Sequence, residues 1–449
     1  MIHLWFDKGT LLLRGEVGTP YGKWDPRIGC YRIKAWHYRD VLSYLKESRL
    51  EYHDEVPNLP ASESMKDIVE LRPYQQEALG KWQRAGMRGI LVLPTAAGKT
   101  YIALKAMSLL NTQTLIVVPT LDLIDQWRKR VADFLNVDAG AVGGGEANVR
   151  MVTVSTYDSA YLQAEMLGNK FMFMVFDEVH HLASQGYIQI AEMYIAPYRM
   201  GLTATYERSD QRHSLLPPVV GDVVYTARVR ELAGHHLSPY THEKIYVELT
   251  PAEQQVYDQD MGIFSDYLRE KGIVLKSPED FHRFIMSTGR DRRAREALLA
   301  RNRAVKVALN SEAKLALLAK QLEARRGEKT LIFTLHNDLV YKISRRFLIP
   351  AVTYQTPREE RHEILESFRR GNYSVIVTSQ VLDEGVDVPD ASLGFMLSGT
   401  GSTREYIQRL GRLLRKVEGK HAKLVEIVSK ETMEVRMSQR RRRKNGEGA

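Results

Sequence analysis

The chain has 449 residues, enough for about three domains of ordinary size, which excludes a single small binding module. Apolar residues make up 44% and charged residues 27%, a balance that favours buried cores over disorder, and no run of 18 apolar residues offers a transmembrane span. Lys and Arg total 64 against 55 Asp and Glu, a net +9 that points weakly to a polyanionic partner, while the one cysteine, Cys30, excludes an internal disulfide or a multi-cysteine zinc site and fits a reducing compartment.

The chain opens MIHLWFDKGTLLLRGE, where charges interrupt the apolar stretch; this is unlike a signal peptide, so an intracellular, cytoplasmic location is expected, with no membrane partner. Residues 1–62 hold Trp5, Trp24 and Trp36 with Tyr21, Tyr31, Tyr38, Tyr44 and Tyr52 between them, and they predict a small mixed α/β domain. In a domain of this size such side chains are chiefly core, although their faces can also stack on unpaired bases. Pro57, Pro60, Ala61 and Ser62 read as a linker, so the motor beyond is expected to keep its single-strand-dependent ATP hydrolysis when residues 1–62 are removed.

Over residues 63–235, β-rich apolar runs alternate with helical ones: GILVLP, TLIVVP, MVTVS, FMFMVFDE and MGLTAT. This pattern predicts a parallel sheet with helices on its faces, and it returns over 326–435 in TLIFT, SVIVTS, SLGFML and AKLVEIV. Between the lobes, residues 236–325 predict a helical insertion. A capping box, Thr250-Pro251-Ala252-Glu253, opens its first helix, and Arg283, Arg290, Arg292, Arg293, Arg295, Arg301 and Arg303 suggest a basic face. The tail, 436–449, carries Arg436, Arg440 to Arg443 and Lys444, a run expected to be disordered and to grip nucleic acid.

The strongest local signal is LVLPTAAGKT, a strand, a tight turn and a helix start. Backbone N–H groups at that helix start suit phosphates, Lys99 suits the β and γ charges of ATP, and the Thr100 hydroxyl suits Mg²⁺; Thr95, Ala97 and Gly98 form the turn. Leu93 stands where the usual first glycine of this loop belongs, and Ala96-Ala97 predict a stiffer turn than glycine would give. The second signal is the strand end at Asp177-Glu178, with Asp177 placed for Mg²⁺ and Glu178 for polarising the attacking water. A solvated strand end is the plain alternative, but two ATPase motifs in the right order disfavour it. The third is QRLGRLLR, where Gln408, Arg412 and Arg415 share one helical face and either arginine could act as a finger on the γ-phosphoryl group.

LRPYQQEAL, PTAAGKT, VVPTLDLIDQW, TVSTYD, DEVH, LTATYER, LIFT, TSQVLDEGVDVP and QRLGRLLR follow the order of the superfamily 2 helicase motifs. VSTYDSAY, FDEVHHL, SQVLDEGVDVPDA and GSTREYIQRLGRLLR resemble the XPB helicase family, its short archaeal members above all, across about residues 65–430. The resemblance implies an α/β fold of two RecA-like parallel-sheet lobes, with the small N-terminal domain in the place of a damage-recognition domain and the helical insertion in that of a thumb. It implies ATP and Mg²⁺ as cofactors and DNA, single-stranded and at duplex junctions, as partner. By the same likeness, Gln75 is the adenine-reading glutamine with Arg72 nearby. Thr203, Ala204 and Thr205 couple hydrolysis to lobe movement, with His180 helping. Gly385 and Asp387 join Gln408, Arg412 and Arg415 on the second lobe's nucleotide face, and Pro119, Thr120, Thr156 and Thr378 hold phosphates. The family's Arg-Glu-Asp element reads Arg208-Ser209-Asp210 here, without its acidic middle residue, which leaves open whether strands are wedged apart.

The expected activity is thus an ATP-dependent DNA helicase or translocase, 3′ to 5′ by resemblance, that opens or remodels duplex DNA in nucleotide excision repair or transcription. A nucleoid-associated protein with a nuclease partner is the family's implication. Alternatives are a duplex translocase serving a nuclease, a P-loop protein remodeller, which would normally lack the second lobe, and an ATP-switched clamp, which would tolerate loss of Glu178. If Arg412 or Arg415 acts chiefly in the transition state, replacing either with Ala lowers DNA-stimulated kcat by about 10³-fold or more and leaves ATP affinity within a few fold, whereas Lys99→Ala damages both. Equilibrium nucleotide binding measured beside turnover separates these outcomes, and parental turnover in both arginine variants would contradict the two-lobe motor.

Overall fold

The computed structural model describes residues 2–15, 17–208, 210–232, 236–379, 391–398, 413 and 421–443. They form two compact units, one built from residues up to Leu232 and one from the described residues beyond it.

The first unit begins with a five-stranded sheet of β1 (Ile2–Asp7), β2 (Thr10–Arg14), β3 (Gly22–Asp25), β4 (Cys30–Lys34) and β5 (Tyr52–Glu55), in the order β3-β4-β2-β1-β5. Its pairs are antiparallel except β1 with β5. The helix Tyr38–Glu47 lays Tyr38, Val41 and Leu45 on Leu4, Leu11, Leu13 and Ile33. Of the aromatic residues expected in the core, Tyr38 is buried there and Tyr21, Tyr31, Tyr44 and Tyr52 pack against it, whereas none of the three tryptophans belongs to this set and Trp24 is 52% exposed. Leucine and isoleucine of the short strands, with Val41 of the helix and Val56, fill the inward face, which leaves the indoles outside it.

The next eight strands are β6 (Arg88–Val92), β7 (Thr114–Val118), β8 (Gly140–Gly143), β9 (Glu146–Asn148), β10 (Val152–Thr156), β11 (Phe173–Asp177), β12 (Tyr198–Thr203) and β13 (Val223–Thr226). Their order is β13-β6-β12-β11-β7-β10-β8-β9, parallel throughout except for the closing β8-β9 hairpin. The five expected strands are all present. Each is an apolar run because helices cover both faces of the sheet. In register, Thr203 faces Val92, Asp177 faces Leu202 and Thr156 faces Val118, so the chain leaves these strands along one common edge.

The linker expected after the N-terminal domain does not free it from this lobe. Ile195, in the segment between the helix Ile188–Met193 and β12, is fully buried within the N-terminal core, and Met172 packs against it. Arg39 donates to the Gly86 carbonyl at 2.8 Å, Asn169 donates to Val56 at 2.9 Å, and Arg88 lies over the Trp36 ring. The wholly buried Arg199 shapes the segment that bears Ile195, donating to the carbonyls of Ala191, Tyr194, Ala196 and Val219 at 2.7–2.9 Å.

In the second unit, β14 (Tyr240–Val247), β15 (Thr330–Phe333), β16 (Ala351–Val352), β17 (Val375–Thr378), β18 (Leu393–Met396) and β19 (Ala422–Ser429) form a parallel sheet in the order β14-β19-β18-β15-β17-β16. The span read as a helical insertion therefore starts with an edge strand. YTHEKIYV escaped recognition because its polar residues pair sideways, Glu243 with Lys423 at 2.6 Å. The other end of the span also belongs to this lobe, since the helix Glu312–Ala324 sends Leu315 and Leu318 into the core with Ile332 and Phe395.

What remains of the insertion is three helices, Pro251–Glu270, Pro278–Ser287 and Arg292–Leu309. The first starts with the expected Thr250–Glu253 capping box. A stripe of buried Ala294, Ala297, Ala300, Ala304 and Ala308 packs the last helix tightly. The arginines are not a free basic face: Arg293 forks onto Glu270, Arg303 onto Asp260, Arg283 meets Asp280, and Arg301 lies over Phe281. Arg290, Arg292 and Arg295 are exposed. The tail also departs from expectation, because the backbone of Met433–Arg443 is helical; Glu434 anchors it in a buried pair with Lys314 at 2.6 Å.

Deleting residues 1–62 will therefore destabilise the first lobe rather than leave it intact. Baring Ile195 alone costs roughly 1.5–3 kcal/mol, and thermal unfolding of the truncated chain beside the full chain measures the loss. An unshifted transition of the first lobe would contradict this docking.

Candidate nucleotide site

The helix Pro73–Arg84 sets the phosphate loop. Gln75 closes the helix's own start by accepting from Arg72 N–H at 2.8 Å, and its amide donates to the Ala97 carbonyl at 3.0 Å. Tyr74 donates to that same carbonyl at 2.6 Å, a clamp that sequence reading missed although the Tyr stands beside Gln75 in LRPYQ. Gln75 is buried, and both ends of its amide are engaged with backbone, so it holds the phosphate loop directly.

Two residues of the loop are left-handed, Ala96 at φ +67° and Gly98 at φ +74°. Glycine takes this conformation freely, whereas Ala96 pays a steric cost, in keeping with the stiff turn expected. The helix Lys99–Leu110 starts directly behind, which leaves its first amides facing the loop. The Thr95 hydroxyl oxygen is buried with no hydrogen-bond partner, a polar group shaped to receive one.

Asp177 ends β11, and Glu178 follows at φ +48°. Lys99 Nζ lies 3.9 Å from Glu178 Oε1 and donates to the Leu93 carbonyl at 3.2 Å. Asp177 Oδ2 accepts from the indole of Trp127 at 2.9 Å, and Oδ1 accepts from Glu178 N–H at 3.1 Å. Burial, and then the neighbouring Glu178, push the Asp177 carboxyl above its ordinary range, while Lys99 and Arg130 pull against them. Thr100 Oγ1 accepts from Arg130 at 2.8 Å. Neither Trp127 nor Arg130 was expected here; only the Trp of LIDQW, at helical spacing from the motif's start, hinted at a buried face.

At the end of β12, the Thr203 hydroxyl lies 3.2 Å from His180 Nδ1, 3.4 Å from Glu178 Oε2 and 2.9 Å from the Thr205 carbonyl. Ala204 is buried between them in sequence. Arg208 donates to the His180 carbonyl at 2.8 Å and forks onto Asp210, whose carboxyl it holds far below its ordinary range. Ser209 lies outside the described residues.

Pro119 and Thr120 follow β7, and the Thr120 hydroxyl oxygen is buried without a partner. Thr156 ends β10, and its hydroxyl caps the next helix by accepting from Ser159 N–H at 3.2 Å. Thr378, in the second unit, is fully buried and its hydroxyl donates to the Ser379 carbonyl at 3.1 Å. Gly385, Asp387, Gln408, Arg412 and Arg415 lie outside the described residues.

The residues present fit a nucleotide with a divalent cation. One carboxylate, one hydroxyl and phosphate oxygens are the usual ligands of Mg²⁺, and the described residues gather no group of three His, Cys, Asp or Glu side chains that would make a separate cage. A phosphate-loop lobe followed by a second parallel-sheet lobe is the architecture of a superfamily 2 helicase. Residues 4–56 match the xeroderma pigmentosum group B helicase damage recognition domain, 68–208 the type III restriction enzyme res subunit, and 313–417 the helicase conserved C-terminal domain. The chain is 47% identical to the DNA 3′-5′ translocase XPB2 of Sulfurisphaera tokodaii over 98% of its own length and 100% of that protein. It is 26% identical to the Schizosaccharomyces pombe general transcription and DNA repair factor IIH helicase/translocase subunit XPB, over 86% of this chain and 46% of that one. The Pyrococcus furiosus Hef helicase domain shares the fold, with a TM-score of 0.52 at 19% identity, covering 82% of this chain and 97% of that one.

The chain belongs to the XPB helicase family. It is an ATP-dependent DNA helicase/translocase by that membership, and among the described residues no helix is long and apolar enough to cross a membrane.

Gly98 leaves no room for a side chain. A Cβ there would sit 2.4 Å from Gln75 Nε2, on a backbone that disfavours side chains. Gly98→Ala is expected to weaken nucleotide binding at least tenfold while the fold persists, which nucleotide titration beside circular dichroism will check; parental affinity would show that the loop is more tolerant than its geometry requires.

Proposed function

We propose that this chain hydrolyses ATP in the first lobe and uses the energy to move along DNA, 3′ to 5′, opening or remodelling duplex in excision repair or transcription, with a nuclease as working partner. The observation that supports this most is the common edge that joins Lys99, Thr100, Asp177, Glu178 and Thr203 to the turns at Thr120 and Thr156, so that phosphate chemistry and strand contacts share one rim of one sheet.

ATP with Mg²⁺, when bound, supplies the phosphoryl group and the cation that screens it. Asp177 and Thr100 would hold the cation, and Lys99, 3.9 Å from Glu178, would neutralise the β and γ phosphate charges. Glu178, held at an unusual backbone angle and near Thr203, orients the attacking water. Thr203, His180 and Arg208 link that carboxylate to the segment following β12, which is the route we assign to coupling. Hydroxyls and amides at Thr120 and Thr156 grip the DNA backbone without reading bases. In the N-terminal domain, the exposed Trp24 shares an open groove with Tyr21, Lys23, Arg27 and His37, a fitting place for an unpaired base to stack beside phosphate-binding cations.

Glu178→Gln keeps shape but removes the charge that orients water, so it should retain ATP binding and lower DNA-stimulated hydrolysis by about 10²-fold or more. Turnover on single-stranded, duplex and bubble DNA and on RNA, with Glu178→Gln as control, tests the proposal. Hydrolysis without stimulation by any DNA, or undiminished in the variant, would overturn it.

A further inference from the structure

The helix Leu121–Leu135 runs from the Thr120 turn to contacts with Asp177 and Thr100. It starts at Thr120, in the turn we assign to DNA phosphates, and Gly144 of the β8-β9 turn closes against Leu121. Two turns on, Trp127 and Arg130 stand three residues apart and so share a helical face. They meet the two side chains that would hold the cation: the Trp127 indole on Asp177 Oδ2 at 2.9 Å and the Arg130 guanidinium on Thr100 Oγ1 at 2.8 Å. From Thr120 to Trp127 the helix rises only about 10 Å.

The geometry at each end suits positioning rather than chemistry. Asp177 takes one protein donor on each oxygen, which fixes the plane of the carboxylate and leaves a lone pair on each for a cation. Thr100 likewise gives one lone pair to Arg130 and keeps another. Between them the helix is locked by its buried face of Ile124, Trp127, Val131 and Leu135, so its first turn cannot shift without carrying both donors along.

We infer that Leu121–Leu135 is a coupling strut: Trp127 and Arg130 position the Mg²⁺ ligands Asp177 and Thr100, and transmit to them whether the turn at Thr120 holds a DNA phosphate. This rests on the proposed strand contact at Thr120, and it supplies a second route from DNA to nucleotide beside that through Thr203. Trp127 and Arg130 are positioning residues, since neither touches the reacting atoms.

The test is the factor by which single-stranded DNA changes the affinity of the full chain for a fluorescent, non-hydrolysable ATP analogue in Mg²⁺, measured again in EDTA. In the parent the factor should lie in the usual range for linked sites, about 5- to 150-fold, and binding linkage requires the nucleotide to change strand affinity equally. Trp127→Phe removes the indole donor and keeps the ring; Arg130→Lys keeps the charge and loses the fork. Each should lower the factor at least about threefold from the parent's, the remainder being carried by the Thr203 route, while analogue affinity in EDTA and strand affinity without nucleotide stay within a few fold of the parent. A merely structural role predicts instead that all affinities fall together with the factor retained, and that result, or no coupling in the parent, overturns the strut. Should Trp127→Phe fail to fold, Arg130→Lys at its partly exposed position decides alone. Thr120→Val separates the two readings: unchanged strand affinity removes the contact and the strut with it, whereas weakened strand affinity with coupling retained in the other two variants removes only the strut.

Discussion

A parallel sheet covered on both faces leaves its edges as the places for polar chemistry, and the first lobe depends on that constraint. Its strands carry no alternation of polar and apolar residues, because each side of each strand is buried. Every group that must meet water, phosphate or metal is therefore pushed past a strand's carboxyl end. Parallel register then does the assembling, because Val92, Thr203, Asp177, Val118 and Thr156 end at one level although 111 residue numbers, as 203 − 92, separate the first two. The cost is electrostatic. Asp177 and Glu178 sit side by side in a partly buried place, and Lys99, Trp127, Thr203 and His180 distribute that charge.

Those parts of the site that are contiguous in sequence and bounded by apolar runs were legible before any coordinates. Lys99 and Thr100 follow a strand, Asp177 and Glu178 end one, and short-range order fixes both. What could not be read is long-range pairing. Tyr74 reaches Ala97 across 23 residues and Trp127 reaches Asp177 across 50; nothing in either local pattern marks the partner. The insertion's arginines show the converse error. Their spacing reads as a solvated basic face, but Glu270 and Asp260 lie on a neighbouring helix and neutralise two of them. The polar edge strand β14 was hidden for a related reason, since its identity lies in its ladder with β19 rather than in its own composition.

Buried charges elsewhere follow the same logic and decide where backbone goes. Lys314 and Glu434 are almost wholly enclosed, and Glu434 also accepts from Ser429 N–H at 2.9 Å, so the C-terminal helix leaves β19 at a fixed point. Replacing such a pair by apolar residues often costs little, whereas removing one partner leaves a charge stranded; what the pair supplies here is direction for the basic segment that follows.

Arg199 carries this further, because it has no carboxylate at all. Its donors meet backbone carbonyls that the helix Ile188–Met193 and the turn behind it leave unsatisfied, so the guanidinium caps the helix end in place of water. Burial, with Arg88 nearby, lowers its pKa well below the usual arginine value, a penalty tolerated only because those carbonyls would otherwise be orphaned. The turn so fixed is the one that carries Ile195 into the N-terminal core. One buried arginine in β12 thus ties the amino end of the strand to the orientation of the first domain, while the strand's other end supplies Thr203 to the nucleotide site. The N-terminal domain is therefore held against the motor lobe by the lobe's own interior, at a fixed place relative to the sheet edge at which Thr203 ends.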